Sequence, residues 1–201
     1  MQAFILIFIL IFYKDIRKCA IFHRKFTKVY YIILVLLGIV WYILEKLNKG
    51  EMIMIAIGSD HGGYKIKEDL KKYLDEKGIA YKDFGTDSEE RTDYPIYGKE
   101  VAKAVQNKEC EKGILVCGTG FGMTIIANKY KGIRCASCWN EEVAKLLKGH
   151  NDANIIALPG RFINTSQAVS IVRAWLCAEF MGGRHIDRLQ MIEEVEKENM
   201  K

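Results

Sequence analysis

From residue 52 onward the sequence predicts an α/β fold, a doubly wound sheet of five parallel strands with helices on both faces. Three observations predict it. Short apolar, β-branched runs alternate along the chain with stretches in which apolar residues recur at helical spacing. Strands joined in turn through helices pair parallel and take helices on both faces. Glycine clusters stand where strands end, at Gly58 to Gly63 and at Cys117 to Gly122, and in such sheets ligands sit at the carboxyl ends of the strands.

The elements follow in order. Ile53 to Gly58 reads as the first strand. Ile66, Leu70, Tyr73 and Leu74 then fall on one helical face, and Gly78 suits the stop. Ile79 to Phe84 is a short second strand, Gly85 to Pro95 a polar loop, and Ile96 to Gln106 a second helix through Val101, Ala104 and Val105. Ile114, Leu115 and Val116 form a central buried strand that stops at Cys117. Phe121 to Lys129 is the next helix, Gly132 to Ser137 a fourth strand, Glu141 to Lys148 a fourth helix and Ala153 to Leu158 a fifth strand. Ser166 to Phe180 is a long amphipathic helix with Ala168, Ile171, Val172, Trp175 and Leu176 inward, and Ile186 to Asn199 a last, charged one. The pattern is Rossmann-like, without internal repeats.

The first fifty residues differ in character. They hold eight Lys or Arg against two Asp or Glu, a net of +6, whereas residues 51 to 201 hold 22 against 23. The overall +5 therefore belongs to this extension, and the basic balance is no argument for nucleic-acid binding by the domain. Residues 1–51 are read as an extension outside the domain, and residues 52–201 as the domain. Two readings of the extension stand. Its uncharged run Val29 to Leu44 falls short of the about 20 residues of a spanning helix, which leaves a marginal membrane anchor or a basic hairpin in the interface. The favoured reading is a mis-assigned start: the Ile, Phe, Leu, Tyr and Lys bias is what translated AT-rich upstream DNA gives, and Met52 or Met54 can serve as the true first residue. A membrane contact is expected only if the extension is real.

The six cysteines lack the regular spacing of a disulfide framework, which points to a reducing cytoplasm. Cys135 and Cys138 form a C-x-x-C, but their odd separation sends the side chains to opposite faces of a strand, and no second pair completes a metal site. Cys117 is the distinctive one. A strand delivers its thiol into a glycine loop at a helix start, where backbone N–H groups favour negative charge. A small buried apolar residue is the bland alternative. The G-x-G-x-G spacing of Gly118, Gly120 and Gly122 departs from a dinucleotide fingerprint, and the following strand ends at Ser137 without an acid for a ribose. A compact phosphate-bearing or enolate-like ligand fits the loop better. His150, standing with Asn151 just before a strand, is expected at the same edge as Cys117, together with Asp60 and His61; either histidine alone is more often an ordinary loop residue. Arg184 and Arg188 stand one helical turn apart and can face one phosphate, although a solvated helix face is the default for such a pair.

Six segments, GSDHGG at Gly58 to Gly63, RTDYP at Arg91 to Pro95, CGTGFGM at Cys117 to Met123, ANK at Ala127 to Lys129, HNDAN at His150 to Asn154 and GGRHIDR at Gly182 to Arg188, resemble in order the ribose-5-phosphate isomerase B family with its galactose-6-phosphate and allose-6-phosphate relatives. The resemblance implies cofactor-free and metal-free interconversion of an aldose phosphate and a ketose phosphate through a cis-enediolate, a step of the non-oxidative pentose phosphate pathway when the sugar is ribose. It implies Cys117 as the base at C2 and C1, Thr119 as a hydroxyl relay, and N–H donors from Gly118, Gly120, Phe121 and Gly122 for the enediolate. His150 would open the furanose, with Asp60 and Tyr94 around the sugar and Asn151 on a hydroxyl. His61, Arg161, Arg184 and Arg188 would clamp the phosphate. It further implies a homodimer or a dimer of dimers with shared active sites. The alternatives are a hexose 6-phosphate isomerase, a non-catalytic nucleotide- or flavin-binding module, and a membrane-tethered scaffold.

Overall fold

The computed structural model describes residues 54–200, and the expectations placed on the amino-terminal extension lie outside them. Within the unit Met52–Lys201 the elements are β1 (Ile55–Ser59), α1 (Tyr64–Glu76), β2 (Tyr81–Asp83), α2 (Tyr94–Gln106), β3 (Lys112–Cys117), α3 (Phe121–Ala127), β4 (Cys135–Ser137), α4 (Glu141–Asn151), β5 (Ile155–Pro159), α5 (Thr165–Cys177) and α6 (Arg184–Asn199). The five strands form one parallel sheet in the order β2-β1-β3-β5-β4. The doubly wound sheet is therefore as the sequence pattern predicts.

Period-two alternation sorts the strand side chains onto two cores. Ile55, Ile57, Ile114, Val116, Ile156 and Leu158 face α1, α4 and α5, whose Leu70, Leu74, Ala144, Leu147, Ile171, Val172 and Trp175 complete the first core. Ala56, Leu115, Cys117, Ile155 and Ala157 face α2 and α3, with Val101, Val105, Met123 and Ala127. Cys135 belongs to the second core and Cys138 to the first, so the C-x-x-C divides across the sheet. Both are buried, and burial pushes both thiols up to about 12.

Several boundaries shift from the sequence expectation, each where a local bond decides. The helix α2 begins at Tyr94 because Pro95 fits its first turn, and α5 begins at Thr165 because Asn164 and Gln167 form a capping box ahead of it. Lys77 caps α1, and Gly78 follows at φ +64°, a left-handed exit that favours glycine. The helix α3 stops at Ala127, where Asn128 turns its amide to carbonyls of Thr124 and Cys135. The helix α4 runs to Asn151, three residues beyond its expected end. Among the described residues no helix is long and apolar enough to cross a membrane.

Candidate active site

The loops after β1, β3 and β5 meet at the carboxyl edge of the sheet. Their closeness depends on missing side chains: a Cβ on Gly63 would lie 2.4 Å from the Val116 carbonyl, and one on Gly160 would lie 2.9 Å from the Gly62 carbonyl. The β1–α1 loop is thereby pressed against the end of β3. Cys117, 4% exposed, ends β3, and its Sγ accepts the Gly120 N–H at 3.1 Å. Gly120 sits at φ +77°, and a Cβ there would strike Ser137 Oγ at 2.3 Å; the tight loop needs glycine on both counts. Gly160 N–H donates to the Cys117 carbonyl and Arg161 N–H to that of Gly118. The Arg161 side chain then lies along Gly118, its Nε 3.3 Å from where a Cβ would stand.

Around this loop stand further groups. Asp60 is buried, and its Oδ1 accepts the Gly63 N–H at 3.1 Å. Burial raises its carboxyl above the ordinary 3.8, against the opposing pull of His61, the Gly63 and Gly62 N–H groups and Arg161. His61 Nδ1 meets the Thr92 main chain, 3.1 Å from the carbonyl and 3.3 Å from the N–H, while Thr92 Oγ1 bonds Tyr97 OH at 3.0 Å. Tyr94 packs its ring over Gly122, 2.7 to 2.9 Å from where a Cβ would stand. Thr119 is exposed and its Oγ1 accepts the Phe121 N–H at 3.4 Å. A thiol, a carboxyl, an imidazole, a phenol and a guanidinium thus surround a loop of backbone donors, an arrangement suited to proton transfer on an anionic substrate.

His150 and Asn151 do not join them, contrary to the sequence expectation. They end α4, and β5 begins four residues after Asn151 with Ile155 paired to Gly113 at the start of β3, whereas Cys117 pairs with Pro159 at the far end. A helix that connects parallel strands runs back along the sheet, so its last turn lies at the amino edge. Four residue steps at about 3.3 Å put the two edges roughly 13 Å apart. At the amino edge the His150 ring stacks on His185 of α6, centroids 4.4 Å apart and 11° from parallel. Arg184 and Arg188 flank His185 in the same helix. Burial, His150 and both guanidiniums hold the His185 imidazole below its ordinary range. The residues implied by the resemblance therefore form two groups, one at each edge.

A family model described as Ribose/Galactose Isomerase matches residues 55–192. The chain belongs to that family. It is 44% identical over 146 residues to ribose-5-phosphate isomerase B of Escherichia coli, spanning 73% of this chain and 98% of that protein. A solved ribose-5-phosphate isomerase B from Clostridium thermocellum superposes with a TM-score of 0.71 at 49% identity, covering 72% of this chain and 98% of the other. That from Mycoplasma genitalium, solved with bound ribulose-5-phosphate, gives 0.70 at 38%, covering 73% and 97%. This isomerase is an aldose–ketose isomerase of the α/β class.

Four residues that contact these two groups escaped the sequence reading. Thr92 lies in the segment Arg91 to Pro95, but nothing in the sequence ties it to His61, 31 residues away. Ser137, in the sequence only a strand end without an acid, lies against Gly120. His185 was part of the last motif and gained its meaning only by stacking on His150. Arg134, at the amino edge, carried no signal beyond a charge before a strand.

Proposed function

We propose that this isomerase interconverts D-ribose 5-phosphate and D-ribulose 5-phosphate through a cis-enediolate, in sites that two copies of the chain build together. Cys117, as thiolate, takes the C2 proton of the open aldose and returns it at C1, with Thr119 relaying a hydroxyl proton between O1 and O2. Backbone N–H groups of Gly118, Gly120, Phe121 and Gly122 receive the developing enediolate, the charge that preorganised donors stabilise best. Asp60 and Tyr94 border the sugar, and His61 and Arg161 take the phosphate from the same copy. The second copy supplies His150, which opens the furanose by protonating its ring oxygen, Asn151 on a hydroxyl, and Arg184 and Arg188 on the phosphate. The five free cysteines among the described residues suit a reducing cytoplasm.

The observation that carries this reading is the division of the site: a thiol with its donor loop at one edge of the sheet, and the imidazole and paired arginines at the other. A two-fold dimer sets one edge of each copy against the opposite edge of its partner and forms two such sites. Steady-state assay should show turnover of ribose 5-phosphate, faster than of allose 6-phosphate or galactose 6-phosphate. Cys117→Ala and His150→Asn should each be inactive on ribose 5-phosphate. Mixed after partial denaturation and refolding, they should recover about one quarter of wild-type activity, since half the dimers are hybrids and each hybrid has one intact site of two. No recovery from a folded hybrid would put both groups in one copy and overturn the shared site.

A further inference from the structure

The amino-edge group has a support of its own, centred on a residue that touches none of the proposed substrate atoms. Arg134 precedes β4. Its Nε donates to the Asn151 and Asp152 carbonyls, both at 3.0 Å, and its Nη2 donates to the Asp152 carbonyl at 2.8 Å and to Asp152 Oδ2 at 3.0 Å. Asp152 is the left-handed cap of α4, at φ +43°, and its other carboxylate oxygen takes Lys148 Nζ. One guanidinium thus grips the two peptide carbonyls that follow His150.

The grip closes into a ring. Arg134 N–H donates to Asn154 Oδ1 at 2.9 Å, and Asn154 Nδ2 donates to the Gly132 carbonyl at 2.8 Å. Gly132 N–H donates to the Glu196 carboxylate of α6, at 3.0 and 3.1 Å. Eleven residues back along α6, about 17 Å at the helical rise, His185 stacks on His150. Met181 N–H, on the segment leading into α6, donates to the Gly149 carbonyl at 2.9 Å. The corner that carries His150 and the helix that carries Arg184 and Arg188 are therefore tied together in three ways: through the stacked rings, through the Met181 N–H on the segment that leads into the helix, and through the network that runs by Arg134.

We propose that Arg134 is a positioning residue for ring opening, holding the α4 corner so that His150 meets the sugar ring oxygen in the site of the partner copy. A helix end could be capped without it: α4 already returns the Asp152 N–H to Lys148 O, and helices commonly end with no guanidinium. What the planar fork adds is rigidity at Asn151 and Asp152, beside His150, which a lysine point charge cannot reproduce. A displacement of about 1 Å in a group that moves protons costs on the order of 10²-fold in rate. The inference rests on the ring-opening role of His150.

The test separates ring opening from proton transfer at carbon. Ribulose 5-phosphate is acyclic, because its O5 carries the phosphate and no hydroxyl can close a furanose on C2. Exchange of its C1 proton with D2O therefore needs Cys117 but not ring opening: the thiolate takes the C1 proton, the cis-enediol forms, and deuterium from the exchanged thiol returns to C1. Turnover of D-erythrose 4-phosphate, which cannot close a furanose either, replaces this readout if the thiol does not exchange with solvent. In full-length Arg134→Lys, kcat for ribose 5-phosphate should fall about 10- to 100-fold while the acyclic readout stays within about threefold of wild type. His150→Asn should show the same split, and Arg134→Met should repeat it if it folds. Equal losses on both readouts in Arg134→Lys, or no loss on ribose 5-phosphate, would overturn the positioning role. If His150→Asn splits the readouts and Arg134→Lys does not, only this inference falls. If His150→Asn does not split them, the ring-opening reading falls first.

Discussion

Lys67 is fully buried, and its ammonium meets Asp83 Oδ2 at 2.6 Å and Glu68 Oε1 at 3.0 Å. Lys71 reaches the same two carboxylates at 2.8 and 2.9 Å. The four charges are not equivalent. Asp83 accepts both lysines and, through Oδ1, the Gly85 N–H at 2.9 Å. Asp83→Ala strands a buried ammonium with one remaining partner and orphans the turn that leads from β2 toward the site; removing one partner of a buried pair costs about 3–5 kcal/mol. Lys67→Met replaces the buried charge with an apolar chain of similar length, while Asp83 keeps Lys71 and Gly85, and such replacements are close to neutral, within about 1 kcal/mol. In urea titrations the alanine variant should lose about 1.5–2.5 M in midpoint and the methionine variant less than about 0.5 M, at a slope near 2 kcal/mol/M. The pH dependence follows from the same bonds. Burial alone would raise the Asp83 carboxyl, but the lysine hydrogen bonds outweigh it and hold it below 3.8. A depressed folded value stabilises the protein above the unfolded value and is lost as pH falls through the folded one. The difference between wild type and Asp83→Ala should therefore be level from neutral pH down to the ordinary carboxylate range and shrink only below it. Equal losses for the two variants would refute the asymmetry, and a difference that shrank near neutrality would refute the assignment of the charge.

Two further outcomes follow from burial. Asp60 has a carboxyl raised by desolvation, so the folded state holds its proton more readily than the unfolded chain, and stability falls as pH rises from 3.8 through the folded value. Asp60→Asn should therefore gain stability at neutral pH while losing activity, and the gain should fade on acidification; a loss of stability at neutral pH would show the charge to be favourable where it stands. Iodoacetamide on the native protein at pH 8, mapped by mass spectrometry, should label exposed Cys177 first and Cys117 more slowly, with substrate protecting only Cys117; Cys110, Cys135 and Cys138, buried and raised, should react only after unfolding, and native labelling of Cys135 would contradict its packing.

What the sequence made legible was local. A strand end, a thiol and three glycines lie within six residues, so the geometry of Cys117 to Gly122 could be read without knowing the fold. Helices on both faces were legible too, since short apolar runs such as Ile114 to Val116 alternate along the chain with amphipathic stretches, whereas the sorting of individual strand residues onto two cores came with the structure. Boundaries depended on single bonds to distant atoms, as with Asn128, whose amide reaches Cys135. Thr92 and Arg134 acquire their importance from partners 31 and 17 to 18 residues away, and no local pattern marks them.

The placing of His150 failed for a different reason, because the rule that excludes it was already in hand. If ligands gather at the carboxyl ends of parallel strands, a residue just before a strand lies at the wrong edge. The motifs imply one site for His150 and Cys117 while the topology sets them at opposite edges, and the proposed shared site would reconcile the two through a second copy. The helix α6 argues the same way. It buries only His185 and leaves Ile186, Met191, Ile192 and Val195 exposed, while Phe121 and Ile125 of α3 stand 62% and 60% exposed beside the thiol loop. A helix with so little of itself buried gains little from packing within its own fold. Under the shared-site reading, the association that carries Arg184 and Arg188 to the partner's phosphate also covers these side chains. Substitution of Ile192 and Val195 by aspartate should then abolish activity by separating the copies, while each separated chain keeps its own cores.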